Sequence, residues 1–367
     1  MMNNITVTSP LLPPLEELTL YLEDIWSRKW LTNNGYYHQL LEKELCDYLK
    51  VDYISLFSNG TLALITALQS LELKGEVITT PYSFVATSHA ILLNNLKPVF
   101  VDIDPNTFNI DPKKIEEAIT ENTSAILPVH VYGNPCDHDA IQKIADKHGL
   151  KVIYDAAHAF GVTKNSLSIL NWGDLSILSF HATKAYSTIE GGAIICHTKE
   201  MKEKLDRLKN FGYESETEIS MLGSNAKMNE IQAAFGLATL KHIDNAISIR
   251  NNIANLYREK INNIKGLTCL SSIEGVSFND SYFPIFINEN EYGMGRDQLY
   301  CKLRENNILS RRYFYPLITD FDFYKENPRI IKHNLDISKK VSDNVICLPI
   351  HHSLQHDHIE RIIKCLQ

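Results

Sequence analysis

One lysine between two apolar segments is the residue of this chain whose setting most suggests chemistry. Lys184 follows the apolar segment 175–180, and two glycines and a second apolar segment, 193–196, come after it. The pattern predicts a strand, a turn and a second strand, with the lysine in the turn. A partly buried lysine tends to lose its charge because desolvation is costly, and its neutral amine is then a nucleophile able to form a Schiff base. Taken alone, Lys184 also fits a surface lysine beside a hairpin.

Two further segments supply a carboxylate and an anion site. Asp155 ends the apolar run 152–154, which predicts a carboxylate at the carboxyl end of a parallel strand, where ligands bind in open α/β sheets. Asn59, Gly60 and Thr61 form a small polar turn before a helical pattern, and the free N–H groups of such a turn bind phosphate. A phosphate site, an aspartate and a lysine are the protein groups that pyridoxal phosphate requires. They hold its phosphate, keep its ring nitrogen protonated and bind its aldehyde as an imine.

The order of these motifs resembles that of the sugar aminotransferases of the DegT/DnrJ/StrS family. Each motif is weak singly, whereas their combination is highly specific, and the match runs from about residue 10 to the end of the chain. The motifs are Asn59-Gly60-Thr61, Asp155-Ala156-Ala157-His158 and Ser179-Phe180-His181-x-Thr183-Lys184. The resemblance implies an α/β protein with the type I fold of pyridoxal-phosphate transferases, as in aspartate aminotransferase. That fold has a mostly parallel, seven-stranded-type sheet in its large domain and a smaller α+β domain at the C-terminus.

The order of predicted elements agrees with this architecture. Predicted strands alternate with helices through the first part of the chain, which favours a mostly parallel sheet covered on both faces. No GxGxxG follows a predicted strand, which counts against a dinucleotide-binding fold. A long helical stretch, 246–264, predicts the link to the smaller domain. We therefore expect a large cofactor-binding domain with an N-terminal helical segment over 1–245 and a small α+β domain over 246–367.

The resemblance also assigns residues to the cofactor, pyridoxal 5'-phosphate. Lys184 is implied to hold it as an internal aldimine, with pyridoxamine phosphate as the intermediate. Asp155 and His158 complete the implied catalytic set, with His158 near the ring hydroxyl. Phe84 is implied to stack on the ring, and Asn225 to reach the cofactor phosphate of the other subunit of a homodimer. The implied cofactor contacts are Gly60, Thr61, Phe84, Asp155, His158, Ser179, Lys184 and Asn225.

Simpler structural explanations exist for several of these residues when each is taken alone. An aromatic residue such as Phe84 is equally able to fill a core. His158 fits a core or surface histidine, and Asn225 fits a helix N-cap.

The resemblance further implies contacts with a nucleotide sugar. Asn33 lies in a turn-rich loop that matches a family loop near the active site. Lys227 stands where many members carry an arginine, so charge would be kept but bidentate geometry lost. The stretch 311–317 combines charge and aromatic rings suited to a pyrophosphate and to a sugar or base. The alternatives are a plain connecting loop around Asn33 and a solvated turn at 311–317. The implied substrate residues are Asn33, Lys227, Arg311, Tyr313 and Tyr315.

The implied reaction moves an amino group from L-glutamate to a nucleotide-linked keto-6-deoxy sugar. The expected substrate is dTDP-4-keto-6-deoxy-D-glucose and the expected product dTDP-4-amino-4,6-dideoxy-D-glucose, for O-antigen or other surface polysaccharide. Three alternatives stay open: amination at C-3 of a dTDP-3-keto-6-deoxyhexose, amination of a UDP- or GDP-keto sugar, and a non-catalytic regulatory protein of the same fold. Dehydratases of the family carry a histidine where this chain has Lys184, so transamination is favoured.

The composition of this chain of 367 residues limits the partners and the cellular compartment that we expect. Its net charge of −8 argues against a nucleic-acid partner. No apolar stretch approaches the length of a membrane helix, and no signal peptide is apparent. Seven scattered cysteines without a CxxC pair suggest free thiols in a reducing cytoplasm. The adjacent His351 and His352 lack carboxylate spacing, so no metal site is expected.

Overall fold

The computed structural model describes residues 4–367, and its largest feature is an eight-stranded sheet. The strands of the chain are β1 (Tyr53–Phe57), β2 (Glu76–Thr79), β3 (Lys97–Phe100), β4 (Thr123–Leu127), β5 (Lys151–Asp155), β6 (Thr163–Lys164), β7 (Leu167–Ser168), β8 (Leu175–Ser179), β9 (Gly192–Cys196), β10 (Tyr213–Ser215), β11 (Glu218–Ile219), β12 (Leu267–Cys269), β13 (Val276–Ser277), β14 (Phe283–Ile287), β15 (Ile331–Lys332) and β16 (Val345–Leu348).

Helices fill the connections between most of these strands. They are α1 (Leu15–Arg28), α2 (Tyr36–Leu49), α3 (Gly60–Ser70), α4 (Val85–Leu93), α5 (Pro112–Glu117), α6 (His138–His148), α7 (Lys199–Leu208), α8 (Glu230–Leu240), α9 (Ile243–Ile261), α10 (Glu289–Tyr292), α11 (Arg296–Glu305), α12 (Asp322–Glu326), α13 (Asp336–Asn344) and α14 (His356–Leu366).

The large sheet is parallel except for one strand. Its order is β1-β9-β8-β5-β4-β2-β3-β15, and only β9 runs against the others. The antiparallel pairing of β8 with β9 places Ser179 opposite Gly192, which confirms the predicted strand, turn and strand around Lys184. The mostly parallel sheet is likewise confirmed. The eighth strand, β15, has two residues and comes from the C-terminal part of the chain, and so short a strand has no recognisable sequence pattern.

Side chains of β9 show how the sheet divides the core into two layers. Ala193 and Ile195 pack in a cluster that includes residues of α2 and α8, whereas Ile194 and Cys196 pack in a cluster that includes residues of α3. Successive side chains of a strand point to opposite faces, so one short apolar run supplies both layers. Helices on both faces are the arrangement that the alternating pattern predicted.

The C-terminal part of the chain forms a second sheet and core. Strands β12, β14 and β16 make a three-stranded antiparallel sheet, which packs with α9, α11 and α14 in one apolar cluster. The predicted border between residues 245 and 246 falls in the first turn of α9, which begins at Ile243. The strand β15 joins the large sheet beside β3. The division into two domains stays a prediction.

Within residues 4–367, no helix combines the length and apolar character needed to cross a bilayer. No group of three or more His, Cys, Asp or Glu side chains in this range is arranged to hold a metal ion. The seven cysteines are free thiols.

Candidate active site

A cavity of about 230 Å³ opens at the carboxyl ends of β5 and β8. Parallel strands of an open α/β sheet place their ligands at this edge. Nine of the residues predicted from the sequence line the cavity: Gly60, Thr61, Phe84, Asp155, His158, Ser179, Lys184, Arg311 and Tyr313.

The N-terminus of α3 and the end of β8 form one wall of this cavity. The side chain of Asn59 accepts a hydrogen bond from Leu62 N at 2.9 Å, and the N–H groups of Gly60 and Thr61 belong to the helix start, where no intrahelical acceptor exists. A Cβ on Gly60 would lie 3.0 Å from Cβ and 3.2 Å from Oγ of Ser179. A side chain at position 60 would therefore press against this serine, and glycine avoids that contact. The two N–H groups and the serine hydroxyl suit a phosphate.

Asp155 is the buried carboxyl group of the cavity, with 5% of its surface exposed. Its Oδ2 accepts a hydrogen bond from Thr87 Oγ1 at 2.7 Å, and its Oδ1 accepts one from Ala157 N at 3.1 Å. Burial raises the pKa of Asp155, while these two hydrogen bonds and the charge of Lys184 oppose the rise. A cationic ring nitrogen beside such a carboxyl would favour the carboxylate.

Lys184 lies partly buried in the loop between β8 and β9. Its Nζ is 3.3 Å from the hydroxyl of Tyr282. Burial lowers the pKa of Lys184, Tyr313 and Asp155 act in the opposite direction, and the charge of Arg311 lowers it further. The site therefore favours the neutral amine more than water does.

The sequence reasoning missed Tyr282. This residue precedes β14 and lies 98 positions from Lys184 along the chain. Its ring centroid is 4.4 Å from that of His158 and 5.6 Å from that of Tyr313. A tyrosine next to an apolar strand looks like any core aromatic, so no local signal could have identified it.

His158 is a buried imidazole whose tautomer the backbone sets. The N–H of Tyr132 donates to His158 Nδ1 at 3.2 Å, so the ring proton of the neutral imidazole must be on Nε2. Burial, and then the charge of Lys184, lower the pKa of His158 well below its usual value. The cavity thus contains a neutral ring with one N–H donor.

Phe84 lies beside the cavity with 52% of its surface exposed. The alternative that it fills the core is therefore wrong. An exposed ring at the start of α4 is available to stack on a flat ligand.

Four predicted residues lie away from this cavity. Asn33 and Lys227 line a second cavity of about 230 Å³, and Lys227 Nζ donates to Asn225 Oδ1 at 2.8 Å. The guanidinium of Arg296 lies over the ring of Tyr315, with Cζ 4.0 Å from the ring centroid. One chain alone does not bring these side chains to Lys184.

The explanation of Asn225 as a helix N-cap is wrong. The helix α8 begins five residues later, and its cap is Asn229, whose side chain accepts a hydrogen bond from Gln232 N at 2.9 Å. Asn225 is instead exposed and paired with Lys227.

Comparisons with known proteins agree with this geometry. The model of the DegT/DnrJ/EryC1/StrS aminotransferase family matches residues 15–367. The chain is 56% identical over 363 residues to the dTDP-4-amino-4,6-dideoxy-D-glucose transaminase of Shigella dysenteriae, covering 99% of this chain and 98% of the relative. The crystal structure of DesI in the presence of its TDP-sugar product matches with a TM-score of 0.95 at 31% identity, over 100% of this chain and 93% of the other. NtdA from Bacillus subtilis with bound cofactor PMP matches with a TM-score of 0.87 at 29% identity, over 96% and 81% of the two chains.

Proposed function

The chain belongs to the DegT/DnrJ/EryC1/StrS aminotransferase family and is a pyridoxal-phosphate-dependent aminotransferase, and from this premise we propose its substrates. It transfers an amino group from L-glutamate to dTDP-4-keto-6-deoxy-D-glucose and forms dTDP-4-amino-4,6-dideoxy-D-glucose. The observation that carries the proposal is one cavity lined by Lys184, Asp155 and the N-terminus of α3. The choice of sugar is supported by the 56% identity to the Shigella transaminase.

The residues present fit pyridoxal phosphate by their donor and acceptor types. We assign its phosphate to the N–H groups of Gly60 and Thr61 and to the hydroxyl of Ser179. Phe84 would stack on the ring, and Asp155 would pair with the ring nitrogen. Each of these residues lines the same cavity.

Lys184 moves the proton in this proposal. When bound, pyridoxal phosphate supplies an electron sink for the negative charge that develops on the donor's α-carbon. Lys184 Nζ, whose pKa burial lowers, takes the α-proton as a neutral base and afterwards releases a proton as an acid. Asp155 would hold the proton on the ring nitrogen. The Nε2–H of His158 would be the donor for the ring hydroxyl oxygen.

We propose a homodimer in which each cavity is completed by the other subunit. Asn33, Asn225 and Lys227 would then serve the partner's cavity, because they lie together outside their own. The proposal is supported by exposed apolar side chains around them, since such patches mark interfaces. These side chains are Trp30, Leu31, Phe211 and Ile231.

We also propose that the enzyme works in the cytoplasm and that its product enters O-antigen, a part of lipopolysaccharide. Free thiols are typical of a reducing compartment, and all seven cysteines are free.

The test of the reaction is a pair of half-reactions followed by absorbance. The protein is first converted to its pyridoxamine form with L-glutamate, and dTDP-4-keto-6-deoxy-D-glucose is then added. We expect the absorbance of the resting form to return, with one amino sugar formed per site, and NMR of the product to place the amine at C-4. An amine at C-3, or a response only to a UDP- or GDP-sugar, would replace the proposed substrate. No response to any keto sugar would reject sugar amination.

A further inference from the structure

Arg311 is a cation on the cavity wall without a carboxylate partner. Among residues 4–367, its guanidinium forms no ion pair or hydrogen bond with a protein acceptor, and it lies over the ring of Tyr313 at 4.6 Å from the centroid. The neighbouring Arg312 differs, because it is bound to Asp297 at 3.0 Å and lies over Tyr300. Of the described residues that line the cavity, only Lys184 and Arg311 are lysine or arginine. Arg311 is therefore the permanent positive charge available there to an anionic ligand.

This charge is close to the reacting amine. Arg311 lines both the main cavity and a small adjoining crevice, which it shares with Thr183, Tyr282 and Tyr313. The hydroxyl of Tyr282 contacts Lys184 Nζ. The charge of Arg311 also contributes, after burial, to the lowered pKa of Lys184. A ligand group bound to Arg311 would thus lie beside Lys184.

The backbone of Arg311 is fixed to a strand of the second sheet. Its N donates to Cys347 O at 3.2 Å, and Cys347 N donates to Arg311 O at 2.7 Å, next to the middle of β16. A binding group mounted on a regular element is better positioned than one on a free loop. The backbone of Arg311 is therefore held at a defined place beside β16.

We propose that Arg311 binds the α-carboxylate of the amino donor and thereby orients the donor's α-carbon toward Lys184. This inference rests on the proposed function and names the residue of the site that binds the amino donor. The α-carboxylate is bonded to the carbon that loses its proton, so its anchor must lie beside the base. The pyrophosphate of a nucleotide sugar is separated from the reacting carbon by the hexose ring. A planar guanidinium also matches a carboxylate with two parallel hydrogen bonds.

Donor binding would also change the base itself. The charge of Arg311 lowers the pKa of Lys184. A carboxylate paired with Arg311 offsets that charge, so the proton affinity of Lys184 Nζ rises when it has a proton to accept.

The experiment compares two non-reacting probes on the protein loaded with pyridoxal phosphate. One probe is 2-oxoglutarate, the keto acid formed from glutamate, and the other is dTDP. Calorimetry measures both affinities for the wild type, Arg311→Gln, Arg311→Lys and the control Arg312→Gln. For Arg311→Gln, we expect 2-oxoglutarate to bind about 10- to 100-fold more weakly, as for the loss of a charged hydrogen-bonded partner. We expect its dTDP affinity to stay within about twofold of wild type, and Arg311→Lys to be intermediate for 2-oxoglutarate because it keeps charge without the bidentate fork.

The half-reactions provide a second readout. Arg311→Gln should raise the L-glutamate concentration needed for half-maximal conversion and leave the half-saturating concentration of the keto sugar unchanged. Weakened dTDP binding with normal 2-oxoglutarate binding would overturn the inference and assign Arg311 to the nucleotide. Normal binding of both probes by Arg311→Gln would also overturn it. A wild type that aminates no keto sugar would reject the proposed function, whereas selective loss of 2-oxoglutarate binding in Arg311→Gln would still support this role of Arg311.

Discussion

Burial shifts the pKa values of three ionisable side chains in the cavity in the direction that favours the neutral form. It lowers the pKa of Lys184 and His158 and raises that of Asp155. For Lys184 the neutral form is the useful one, because it accepts a proton. For Asp155 the carboxylate is needed. A cationic ring nitrogen beside it would restore the carboxylate, because an opposite charge lowers the pKa of a carboxyl group. With the cofactor bound, the same buried cavity would therefore favour a neutral Lys184 and an ionised Asp155.

For this single residue, we predict that Asp155→Asn slows the reaction but leaves cofactor binding intact. The amide keeps the size of the side chain but cannot hold a proton on the ring nitrogen. We expect kcat to fall by about 100-fold or more, in the range seen for loss of one key electrostatic group. Cofactor content, measured by absorbance after dialysis, should stay near that of wild type. Near-normal turnover with the cofactor bound would contradict the assigned role.

Among the elements, the starts of α2 and α8 are joined by one buried carboxylate. Glu230, the first residue of α8, accepts hydrogen bonds from Tyr37 N at 2.8 Å and His38 N at 2.9 Å. A Cβ on Gly35 would lie 2.5 Å from Glu230 Cδ, so a side chain there would push the carboxylate away from the loop. Glu230 N also donates to Leu31 O at 2.9 Å. The loop that carries Asn33 is thereby fixed to the segment that carries Lys227.

We predict that Glu230→Gln lowers the free energy of unfolding by about 1–3 kcal/mol, as expected for a buried hydrogen bond to a charged group. A glutamine offers one acceptor oxygen, so its amide nitrogen would face a backbone N–H. Urea unfolding at fixed protein concentration measures the change. The matched control is Glu218→Gln in the exposed strand β11, which should have little effect. Equal stability of the two variants would show that Glu230 does not cap α2.

At the scale of the whole molecule, the proposed homodimer makes a sharp prediction about mixed subunits. A Lys184→Ala subunit lacks its own amine, and an Asn225→Ala subunit lacks the side chain assigned to its partner's cavity. Each variant alone should be nearly inactive. If the two chains are unfolded together and refolded, about a quarter of the cavities combine intact Lys184 with intact Asn225 from the other subunit. Activity should recover to that fraction, and no recovery would mean that Asn225 does not act across the interface.

The pH dependence of global stability should depend on His130. This ring is fully buried, it accepts from Cys136 N at 3.1 Å through Nδ1, and burial lowers its pKa to about 3. An unfolded histidine titrates near about 6.5, so between these values the unfolded chain binds more protons than the folded one. The contribution of His130 to the free energy of unfolding is therefore fully present above about pH 6.5 and is lost as the pH falls below that value. The loss is at most about 1.4 kcal/mol per pH unit for this one group.

We accordingly predict that His130→Gln flattens the decline of the unfolding free energy between pH 6 and pH 4, even though it reduces stability at neutral pH. Urea unfolding at several pH values measures the slope. His356→Gln, at an exposed helix start, is the control and should keep the slope of the wild type. An unchanged slope in His130→Gln would show that this ring is not held neutral in the folded protein.

The sequence by itself determined the alternation of strands and helices in the first part of the chain and the placement of Lys184 and Asp155 at the ends of strands. Apolar periodicity reports which face of an element is buried, and it located β5, β8, β9 and the helices around them to within a few residues. The resemblance of motifs added the cofactor and the family, because the chemistry of the cofactor requires a fixed set of residue types.

Only the tertiary structure decided which side chains share a cavity. It brought Tyr282 to Lys184 across 98 positions and set the tautomer of His158 through Tyr132 N. It also distinguished Arg311, which lines the cavity, from the adjacent Arg312, which is bound to Asp297. Local patterns carry no information on such contacts, because these depend on how distant elements pack. For the same reason, the sequence grouped Asn33 and Lys227 with the site, whereas the folded chain places them in a separate cavity.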